Sequence, residues 1–558
     1  MSGTATRANQ EVLREGEVAP PGLIRRGWDR LDAPVEGRSV PGTTIIAGVA
    51  VVVGIIITVV SLKNDWMLLY FDARSHLTIA RAIIDSQNPG FYQLGTVWLP
   101  APHVLLIPFT AIFPLWQTGL AAAILGIGCL AVSTAAIWRI SYRVGFNRPA
   151  RLVAVAVFLF NPTMLYLSTT AMTEPVLMAS WLMALAGLVG WITAMPAISP
   201  GALTVFAGIP TTVAVMSRYE GWAFMVCATV FIIVASWRRW RSFKYSVILL
   251  LAYLAVPVAS IAWWLAYNYV RYGNALEFAF GPYSAGADAK LRDSLGVLPQ
   301  KGNLGLSVAI YDTGAINIIG WPLLILAVAG GIVFLWTRGF STTALIVWIP
   351  LFTYPFILLS LYLGQIVIVN ESAMVSNTLY NNRYSGETTA IVALLCAALV
   401  DAVVRRFARV GRSLAVIAVA IAVGFAVWSF SDGYNRMIIL REGFNSTVAP
   451  NAVAAGRYIH DNYAGGDVLI EAGSRGDAML VGLTNDQVIT VDNGPIFQEA
   501  VKDPASHVEW IFFNTALVRD SIWTLLKDDP AFNARFSLVF EAEPYRVYQN
   551  HQSPGELE

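Results

Sequence analysis

An aspartate and a histidine stand four residues apart, shortly after the first long apolar run of the chain. They are Asp72 and His76, in the stretch YFDARSHL that follows the apolar run 43–62. If 72–87 is helical, this spacing places both side chains on one face of the helix. A carboxylate beside a histidine at an apolar boundary can act as a general base. The alternative is a helix on the membrane surface whose charged residues, Arg74 among them, only anchor it.

Three further short stretches place charged residues at the ends of apolar runs. They carry Glu174 in STTAMTEP, Arg218 and Glu220 in SRYEGW, and Arg383 in NNRYSGE. Ionisable groups at the edge of a membrane are costly, which makes them candidates for function. Each stretch also has a structural explanation: a helix start for the glutamate before the proline, a local ion pair in the tight turn, and a positive anchor. All of them fall on the same predicted side of the membrane as Asp72, so we expect one shared pocket.

The composition is that of a membrane protein. Hydrophobic residues make up 56% of the 558 positions and charged residues 13%, with a mean hydropathy of +0.59, whereas soluble domains carry about 25% charged residues. Apolar windows of about 20 residues predict about eleven membrane spans. The predicted spans lie near 43–62, 118–138, 152–168, 175–194, 201–216, 221–237, 245–268, 318–336, 342–364, 388–404 and 413–430.

Clusters of basic residues give the predicted spans an orientation. The long loops 63–117, 269–317 and 365–387 carry fewer basic residues for their length than the connections on the other side. Because basic residues concentrate in cytoplasmic connections, the N-terminus is predicted to be cytoplasmic and the long loops to face outside. Within the first outside loop, the apolar piece 103–116 is short and contains prolines, which favours an interfacial helix. The basic clusters are Arg25, Arg26, Arg30 and Arg38; Arg139, Arg143, Arg148 and Arg151; Arg238, Arg239, Arg241 and Lys244; and Arg405, Arg406, Arg409 and Arg412.

The chain divides into three predicted parts. Residues 1–42 form a polar cytoplasmic tail without the features of a removed signal peptide, and residues 43–430 form the membrane domain. In residues 431–558 an amphipathic helical pattern, VAAGRYIHDNYAGG, leads into the strand DVLIEA, and HVEWIFFNTA and FSLVFEAEPYRVYQN predict further strands. An odd number of spans places this small α/β domain outside the cytoplasm.

Several kinds of site find no support in the sequence. The glycine-rich phosphate-binding patterns GxGxxG and GxxxxGK[ST] and the zinc motif HExxH do not occur, and a net charge of +1 gives no reason to expect nucleic acid. The cysteines Cys129, Cys227 and Cys396 all lie in apolar runs, which is typical of packing residues rather than of a disulfide or a metal site. No cofactor is therefore assigned from the sequence, and a divalent metal is left open but is not supported.

The order of these features resembles the GT-C membrane glycosyltransferases. The similarity is strongest to the branch with the protein O-mannosyltransferase-like and lipid A aminoarabinose transferase-like enzymes, and it covers about 43–400. Ala73 stands where many relatives carry a second acid, so a catalytic metal gains no support from the resemblance. The matching residues are Asp72, His76, Ala80, Pro89-Gly90, VWLPAPH (97–103), Glu174, RYEG (218–221), WWLAYNYVRYGNALEF (263–278) and Arg383-Tyr384.

The resemblance implies an inverting glycosyltransferase, integral to the plasma (inner) membrane, that takes one sugar from a polyprenyl phosphate. The acceptor would be an extracytoplasmic hydroxyl of a glycan, a lipid or a protein. Asp72 would be the general base, with His76 or Glu174 orienting it or the acceptor. The other expected site residues are Arg218, Arg383 and Arg74 for the donor phosphate and Trp98, His103, Glu220 and Tyr384 for the substrate.

The residues alone leave other functions open. A membrane transporter or a flippase for lipid-linked glycans would also need a multi-pass chain, and a ligase would move a preassembled glycan from a lipid diphosphate. Transporters typically show two related halves with Gly- or Pro-broken helices, and such halves are not visible in this sequence.

Overall fold

The computed structural model describes residues 39–194, 199–281, 284–373, 379–446, 450–471, 476, 482–515 and 520–551. Most of the predicted cytoplasmic tail, with its basic residues Arg25, Arg26, Arg30 and Arg38, lies outside the described residues. The described part is mainly helical, and a small β-sheet forms near the C-terminus.

Among the described residues, twenty α-helical segments precede the sheet region. The first twelve are α1 (Thr43–Lys63), α2 (Phe71–Ala82), α3 (Ala101–Thr110), α4 (Phe113–Gln117), α5 (Leu120–Arg143), α6 (Arg148–Leu159), α7 (Pro162–Leu167), α8 (Glu174–Thr193), α9 (Pro200–Val215), α10 (Glu220–Trp240), α11 (Phe243–Tyr272) and α12 (Glu277–Phe280). The next eight are α13 (Ala285–Ser294), α14 (Leu304–Ile319), α15 (Trp321–Arg338), α16 (Thr342–Tyr362), α17 (Asn382–Arg406), α18 (Ala408–Ser431), α19 (Gly433–Arg436) and α20 (Ile438–Ser446).

Nine helices in the described ranges are long and apolar enough to cross a membrane, namely α1, α5, α8, α10, α11, α15, α16, α17 and α18. Each coincides with a predicted span, so the chain is a multi-pass membrane protein. The predicted spans 152–168 and 201–216 form shorter helices, and the count of eleven is not confirmed. In the first of these, Asn161 accepts from the backbone N–H of Met164 at 3.0 Å and Pro162 occupies the first turn of α7, so the preceding helix stops.

Contacts at the helix ends show that both shorter segments run the length of the bundle. Arg143, at the end of α5, donates to Thr193 Oγ1 at the end of α8 over 3.0 Å. At the opposite end, Glu174 begins α8 and lies 3.0 Å from Arg218, which follows α9. The chain must therefore return between the two ends twice, through α6 and α7 and again through α9.

Glycines allow the closest helix contacts in the bundle. A Cβ added to Gly126 in α5 would lie 2.0 Å from Ser168 O, and one added to Gly330 in α15 would lie 1.9 Å from Leu395 O in α17. Small residues let neighbouring helix backbones approach in this way, and membrane proteins rely on such packing because lipid gives no hydrophobic drive between helices.

The C-terminal region contains a five-stranded mixed sheet of order β2-β1-β3-β5-β4. β1 pairs in parallel with β2 and β3, and β5 pairs antiparallel with β3 and β4. Side chains alternate between two apolar cores, so that Leu469 and Ile511 face one core and Ile470 and Phe512 face the other. The predicted small α/β region is confirmed. Its elements are α21 (Pro450–Asn462), β1 (Val468–Ile470), β2 (Val488–Ile489), α22 (Pro495–Lys502), α23 (Pro504–His507), β3 (Trp510–Asn514), α24 (Ser521–Leu526), α25 (Pro530–Arg535), β4 (Phe536–Ala542) and β5 (Tyr545–Asn550).

The sheet region contacts the loop that carries α2. Asn493 donates to Asn88 Oδ1 over 2.9 Å, and Asn485 donates to the carbonyl of Thr78 over 3.4 Å. These bonds link the C-terminal region to the segment that begins with Asp72.

Two glycines of the bundle, one at a close helix contact and one in open space, are predicted to respond in opposite ways to substitution by alanine. Gly330→Ala should lower the stability by about 1–3 kcal/mol, because its Cβ would collide with the backbone of α17. Gly424→Ala in α18 should be neutral or stabilising by up to about 1 kcal/mol, because no described atom lies within 4 Å of the added Cβ and alanine favours helices. Thermal unfolding of the purified chain in detergent measures both, and equal melting temperatures for the two variants would contradict the close approach.

Candidate active site

Four chain segments that are distant in sequence meet at one end of the bundle. Asp72 lies in the first turn of α2, Glu174 begins α8, Arg218 lies between α9 and α10, and Arg383 lies in the 3₁₀ turn that opens α17. Glu174, Arg218 and Arg383 lie at or beside the ends of apolar helices, where a polar side chain reaches the membrane edge at the least cost, whereas Asp72 lies in a helix that is not apolar. The structure thus brings together the charged residues that the sequence placed at separate span ends.

Arg383 binds three acidic side chains at once. Its Nη2 donates to Asp72 Oδ2 over 2.8 Å, its Nε donates to Glu174 Oε1 over 3.0 Å, and its Nη1 donates to Glu442 Oε1 over 3.4 Å. The guanidinium is only 5% exposed, and Glu174 is fully buried. A buried cation is tolerated only when it is paired and hydrogen-bonded, so this arrangement fixes the orientation of the arginine and of Asp72.

Arg218 forms a second buried cation beside the first. It binds Glu174 Oε1 at 3.0 Å and Glu220 Oε1 at 2.8 Å, and it donates to Thr173 Oγ1 at 3.0 Å. Its guanidinium lies 4.6 Å from the ring centre of Tyr384. Burial opposes its charge, but Glu220 and Glu174 outweigh burial and raise the pKa of Arg218 well above its usual value. Because Glu174 binds both arginines, it holds them side by side.

A cavity of about 640 Å³ opens next to these groups. The side chain of Asp72 is 33% exposed and reaches it, whereas Glu174 lies beneath the arginines at 0% exposure. No described residue donates to Asp72 Oδ1, so this oxygen is open to a ligand. The predicted site residues in the lining are Asp72, His76, Trp98, Arg218, Glu220, Arg383 and Tyr384.

His76 lies on the cavity wall and is held by a second histidine. Its Nδ1 is 2.8 Å from His103 Nε2, and its ring centre is 4.6 Å from that of Trp98. Burial, and then the neighbouring His103, hold the pKa of His76 well below its usual value, and burial lowers the pKa of His103 to about 3. Both rings are therefore neutral near pH 7, and one donates a proton to the other in a hydrogen bond.

Two of the predicted site residues are placed elsewhere. Arg74 is two residues from Asp72, which turns it to the opposite side of α2, where it is fully buried and donates to the carbonyl of Leu68 over 2.9 Å. His103 is buried behind His76 and supports that ring from the far side of the cavity wall.

The sequence reasoning missed Glu442. This residue follows the last span, in α20, and it accepts from the backbone N–H groups of Asn381 and Asn382 at 2.9 Å each and from Tyr70 at 3.2 Å. Burial raises the pKa of Glu442, while Arg383 opposes that rise. Asp72 and Glu174 were selected because they are acids that lie outside membrane spans. Glu442 meets the same criterion, which could have identified it.

The cavity wall also contains cationic and aromatic residues that the sequence reasoning did not select. Lys290 lies in the middle of α13, and Lys301 lies in the connection from α13 to α14. Tyr219 and Phe278 stack at 5.8 Å on the apolar side of the wall. All four come from loops or helix ends, where one sequence gives no reason to rank one lysine or aromatic residue above another.

The described residues offer no metal site. They contain no group of three or more His, Cys, Asp and Glu side chains arranged to hold an ion. The three cysteines are free thiols in the membrane region, with Cys129 and Cys396 buried and Cys227 half-buried.

Two solved structures of membrane proteins share the fold of this chain. ArnT from Cupriavidus metallidurans, bound to undecaprenyl phosphate, is 14% identical and aligns over 92% of this chain and 98% of its own, with a TM-score of 0.53. The oligosaccharyltransferase from Archaeoglobus fulgidus in the apo form is 12% identical and aligns over 92% of this chain and 74% of its own, with a TM-score of 0.51. Neither a family model nor a curated protein matches the chain. At these identities the likeness establishes the fold, and the predicted GT-C arrangement of the helices is confirmed.

The buried histidine pair predicts an acid-sensitive loss of stability. Between the usual histidine pKa of 6.5 and the folded value of about 3, the unfolded chain binds a proton at His103 and the folded chain does not. Stability is therefore complete above pH 6.5 and falls as the pH drops, by about 2 kcal/mol at pH 5 from this residue. His103→Gln should show a smaller fall in melting temperature between about pH 7.5 and pH 5 than the wild type.

The matched control is His507→Gln, at an exposed histidine of the sheet region. It should keep the wild-type fall in melting temperature. If His103→Gln and His507→Gln behave alike, the histidine pair is not the source of the acid sensitivity.

Proposed function

We propose that the protein is an inverting glycosyltransferase that moves one sugar from a polyprenyl phosphate to an extracytoplasmic hydroxyl. The observation that carries the proposal is the exposed carboxylate of Asp72, fixed by Arg383 at the edge of a cavity beside a second arginine. The shared fold with ArnT, whose structure contains undecaprenyl phosphate, supports a donor of this chemical class.

In the proposed reaction Asp72 acts as the general base. The acceptor oxygen attacks the anomeric carbon, the bond between that carbon and the phosphate oxygen breaks, and the proton of the acceptor hydroxyl passes to the Asp72 carboxylate. The bonding electrons leave with the polyprenyl phosphate, and attack from the opposite face inverts the anomeric centre. The open Oδ1 of Asp72 is the oxygen that would take the proton, because Oδ2 is held by Arg383.

The charge of the cavity wall favours an anionic donor. Four cationic side chains line it against two carboxylates. Arg218 and Arg383 are each bound to acids, so they act as fixed dipolar groups that stabilise charge on the leaving phosphate. Lys290 and Lys301 are both exposed, but Lys301 is ion-paired with Asp293, so Lys290 is the lysine that gives the wall a further cation for that phosphate. Arg74 takes no part in this proposal, since it lies on the far side of α2.

The other predicted residues take positioning roles. Glu174 holds Arg218 and Arg383 without reaching the cavity. Neutral His76 can accept a hydrogen bond from the hydroxyl of the acceptor substrate or donate one to it. Trp98 and Tyr384 line the cavity, and aromatic side chains of this kind can stack on a sugar ring. The apolar part of the wall, with Phe278 and Phe280, suits the first isoprene units of the donor.

We further propose that the cavity faces the outside of an inner membrane and that the N-terminus is cytoplasmic. The basic clusters near Arg143, Arg239 and Arg405 gather at the opposite end of the bundle, as the contacts of those residues at helix ends indicate. Basic residues mark the cytoplasmic side. In this orientation 1–42 is a cytoplasmic tail, 43–430 is the transferase domain, and the region 431–558 lies outside, where it can help to select the acceptor.

Asp72→Asn should reduce sugar transfer by about 100-fold or more, because the amide cannot take the acceptor proton. The assay uses the purified full chain, polyprenyl-phosphate sugars and an acceptor extract, with release of polyprenyl phosphate as the readout. The control is Asp65→Asn, the same chemical change at an exposed acid just after α1, where a left-handed backbone (φ 57°) also suits asparagine. That variant should keep wild-type activity and melting temperature.

Full transfer activity in a folded Asp72→Asn variant would contradict the role of Asp72. Movement of the lipid across vesicles without sugar release would instead identify a flippase, and a requirement for a diphosphate donor would identify a ligase.

A further inference from the structure

The two ring nitrogens of His76 have different surroundings. Nδ1 is 2.8 Å from Nε2 of His103, which lies in α3 behind the cavity wall. No described residue bonds to Nε2 of His76, and this nitrogen is exposed at the wall of the active-site cavity. One edge of the ring is thus held inside the protein, and the other edge is available to a ligand.

The buried partner decides which nitrogen of His76 carries the proton. His103 is 0% exposed, and its Nδ1 is buried without a hydrogen-bond partner among the described residues. A neutral imidazole has one N–H donor and one bare nitrogen that accepts. Proteins tolerate a buried acceptor without a partner better than a buried N–H without one. The bare nitrogen of His103 is therefore Nδ1, and its Nε2–H donates to Nδ1 of His76.

This assignment makes the cavity-facing nitrogen of His76 a donor. Because Nδ1 accepts from His103, the single proton of the neutral ring must be on Nε2. Burial, then His103, and then Arg383 and Arg218 hold the pKa of His76 well below its usual value, so the ring stays neutral near pH 7. Nε2 then has no lone pair to offer, and His76 cannot act as a general base in the cavity.

The chemistry of the proposed reaction indicates which ligand atom this N–H meets. An N–H bound to the attacking hydroxyl oxygen would make that oxygen less nucleophilic and would oppose the reaction. The leaving phosphate gains negative charge, and a fixed donor at developing charge lowers the barrier. His76 lies within electrostatic range of Arg383 and Arg218, the two cations assigned to that phosphate. A neutral donor adds a hydrogen bond there without burying a further charge.

We propose that His76 donates from Nε2 to an oxygen of the polyprenyl phosphate, and that His103 is the positioning residue that keeps this nitrogen protonated. The inference rests on the proposed function, which supplies the phosphate ligand, and it narrows the hydrogen bonding of His76 in the cavity to donation. The ring is fixed in place, because Trp98 packs against it at 4.6 Å between ring centres while His103 holds the far edge.

Nitrogen-15 magic-angle-spinning NMR of the full chain in bilayers reads the protonated nitrogen directly. The chain has five histidines, so labelled histidine gives few signals, and the spectrum of His76→Gln identifies those of His76. At about pH 7.5, above the usual histidine pKa, we expect a protonated Nε2 and a bare Nδ1 at His76. Undecaprenyl phosphate should shift the Nε2 signal. His103→Phe should shift the Nδ1 signal, because the hydrogen bond to that nitrogen is lost.

The affinity for undecaprenyl phosphate tests the contact itself, by native mass spectrometry of the full chain in neutral detergent. His76→Phe should weaken binding about tenfold, the effect of losing one hydrogen bond to a charged group. His76→Gln should keep most of the affinity, because its amide N–H can take the place of Nε2–H. The matched control is His507→Phe, the same change at an exposed histidine of the sheet region, which should bind like the wild type.

Three results would overturn the inference. They are a protonated Nδ1 at His76, an Nε2 signal that undecaprenyl phosphate leaves unchanged, and equal affinity of His76→Phe and the wild type. If His76→Phe does not fold, the spectra of the wild-type chain with and without the lipid decide the question. Neither measurement requires sugar transfer, so their failure is distinct from failure of the proposed transferase, which the Asp72→Asn assay tests.

Discussion

The guanidinium of Arg383 is the group on which the architecture of the site depends. It is buried at the edge of a membrane bundle, and three acidic side chains from α2, α8 and α20 surround it. Removing one partner from a buried ion pair typically costs about 3–5 kcal/mol, because an uncompensated charge remains. This requirement ties together segments as far apart in sequence as Asp72 and Glu442, and it connects the membrane bundle to the chain that leads into the sheet region.

The same requirement explains how one acid comes to face the cavity. Glu174 and Glu442 are buried at 0% and 1% exposure and serve to hold the arginine, whereas Asp72 keeps a third of its side chain exposed. Arg218 is held in the same way as Arg383, since it binds Glu174 and Glu220 and also lines the cavity. A site whose charges are fixed before a ligand arrives can stabilise charge that develops during a reaction without having to reorganise. The proposed transferase mechanism uses this property at the leaving phosphate.

Hydrophobic patterning and the cost of charges in membranes were enough to predict much of this structure. The nine spans found among the described residues, the small sheet region and the meeting of Asp72, Glu174, Arg218 and Arg383 all follow from where apolar runs end. The GT-C fold followed from the order of short motifs rather than from any single one. Helix lengths were less predictable, because a buried helix such as α6 can stop at an Asn-Pro pair and still continue the same path through α7.

The errors within the site have equally physical causes. Arg74 was grouped with Asp72 by nearness in sequence, but two residues along a helix turn a side chain to the opposite face. Glu442 was overlooked because it lies within 431–558, the region that looked like a separate domain, and its contacts with Asn381 and Asn382 depend on tertiary packing alone.

The central claim is that the cavity beside Asp72 receives the phosphate of a lipid-linked sugar. An electron cryo-microscopy structure of the full chain with a polyprenyl phosphate tests it most directly. The account predicts density for the phosphate within hydrogen-bonding distance of a cationic side chain of this cavity, with Asp72 facing the position of the anomeric carbon. Density for the phosphate only at the other end of the bundle, or a lipid headgroup remote from Asp72, would contradict it.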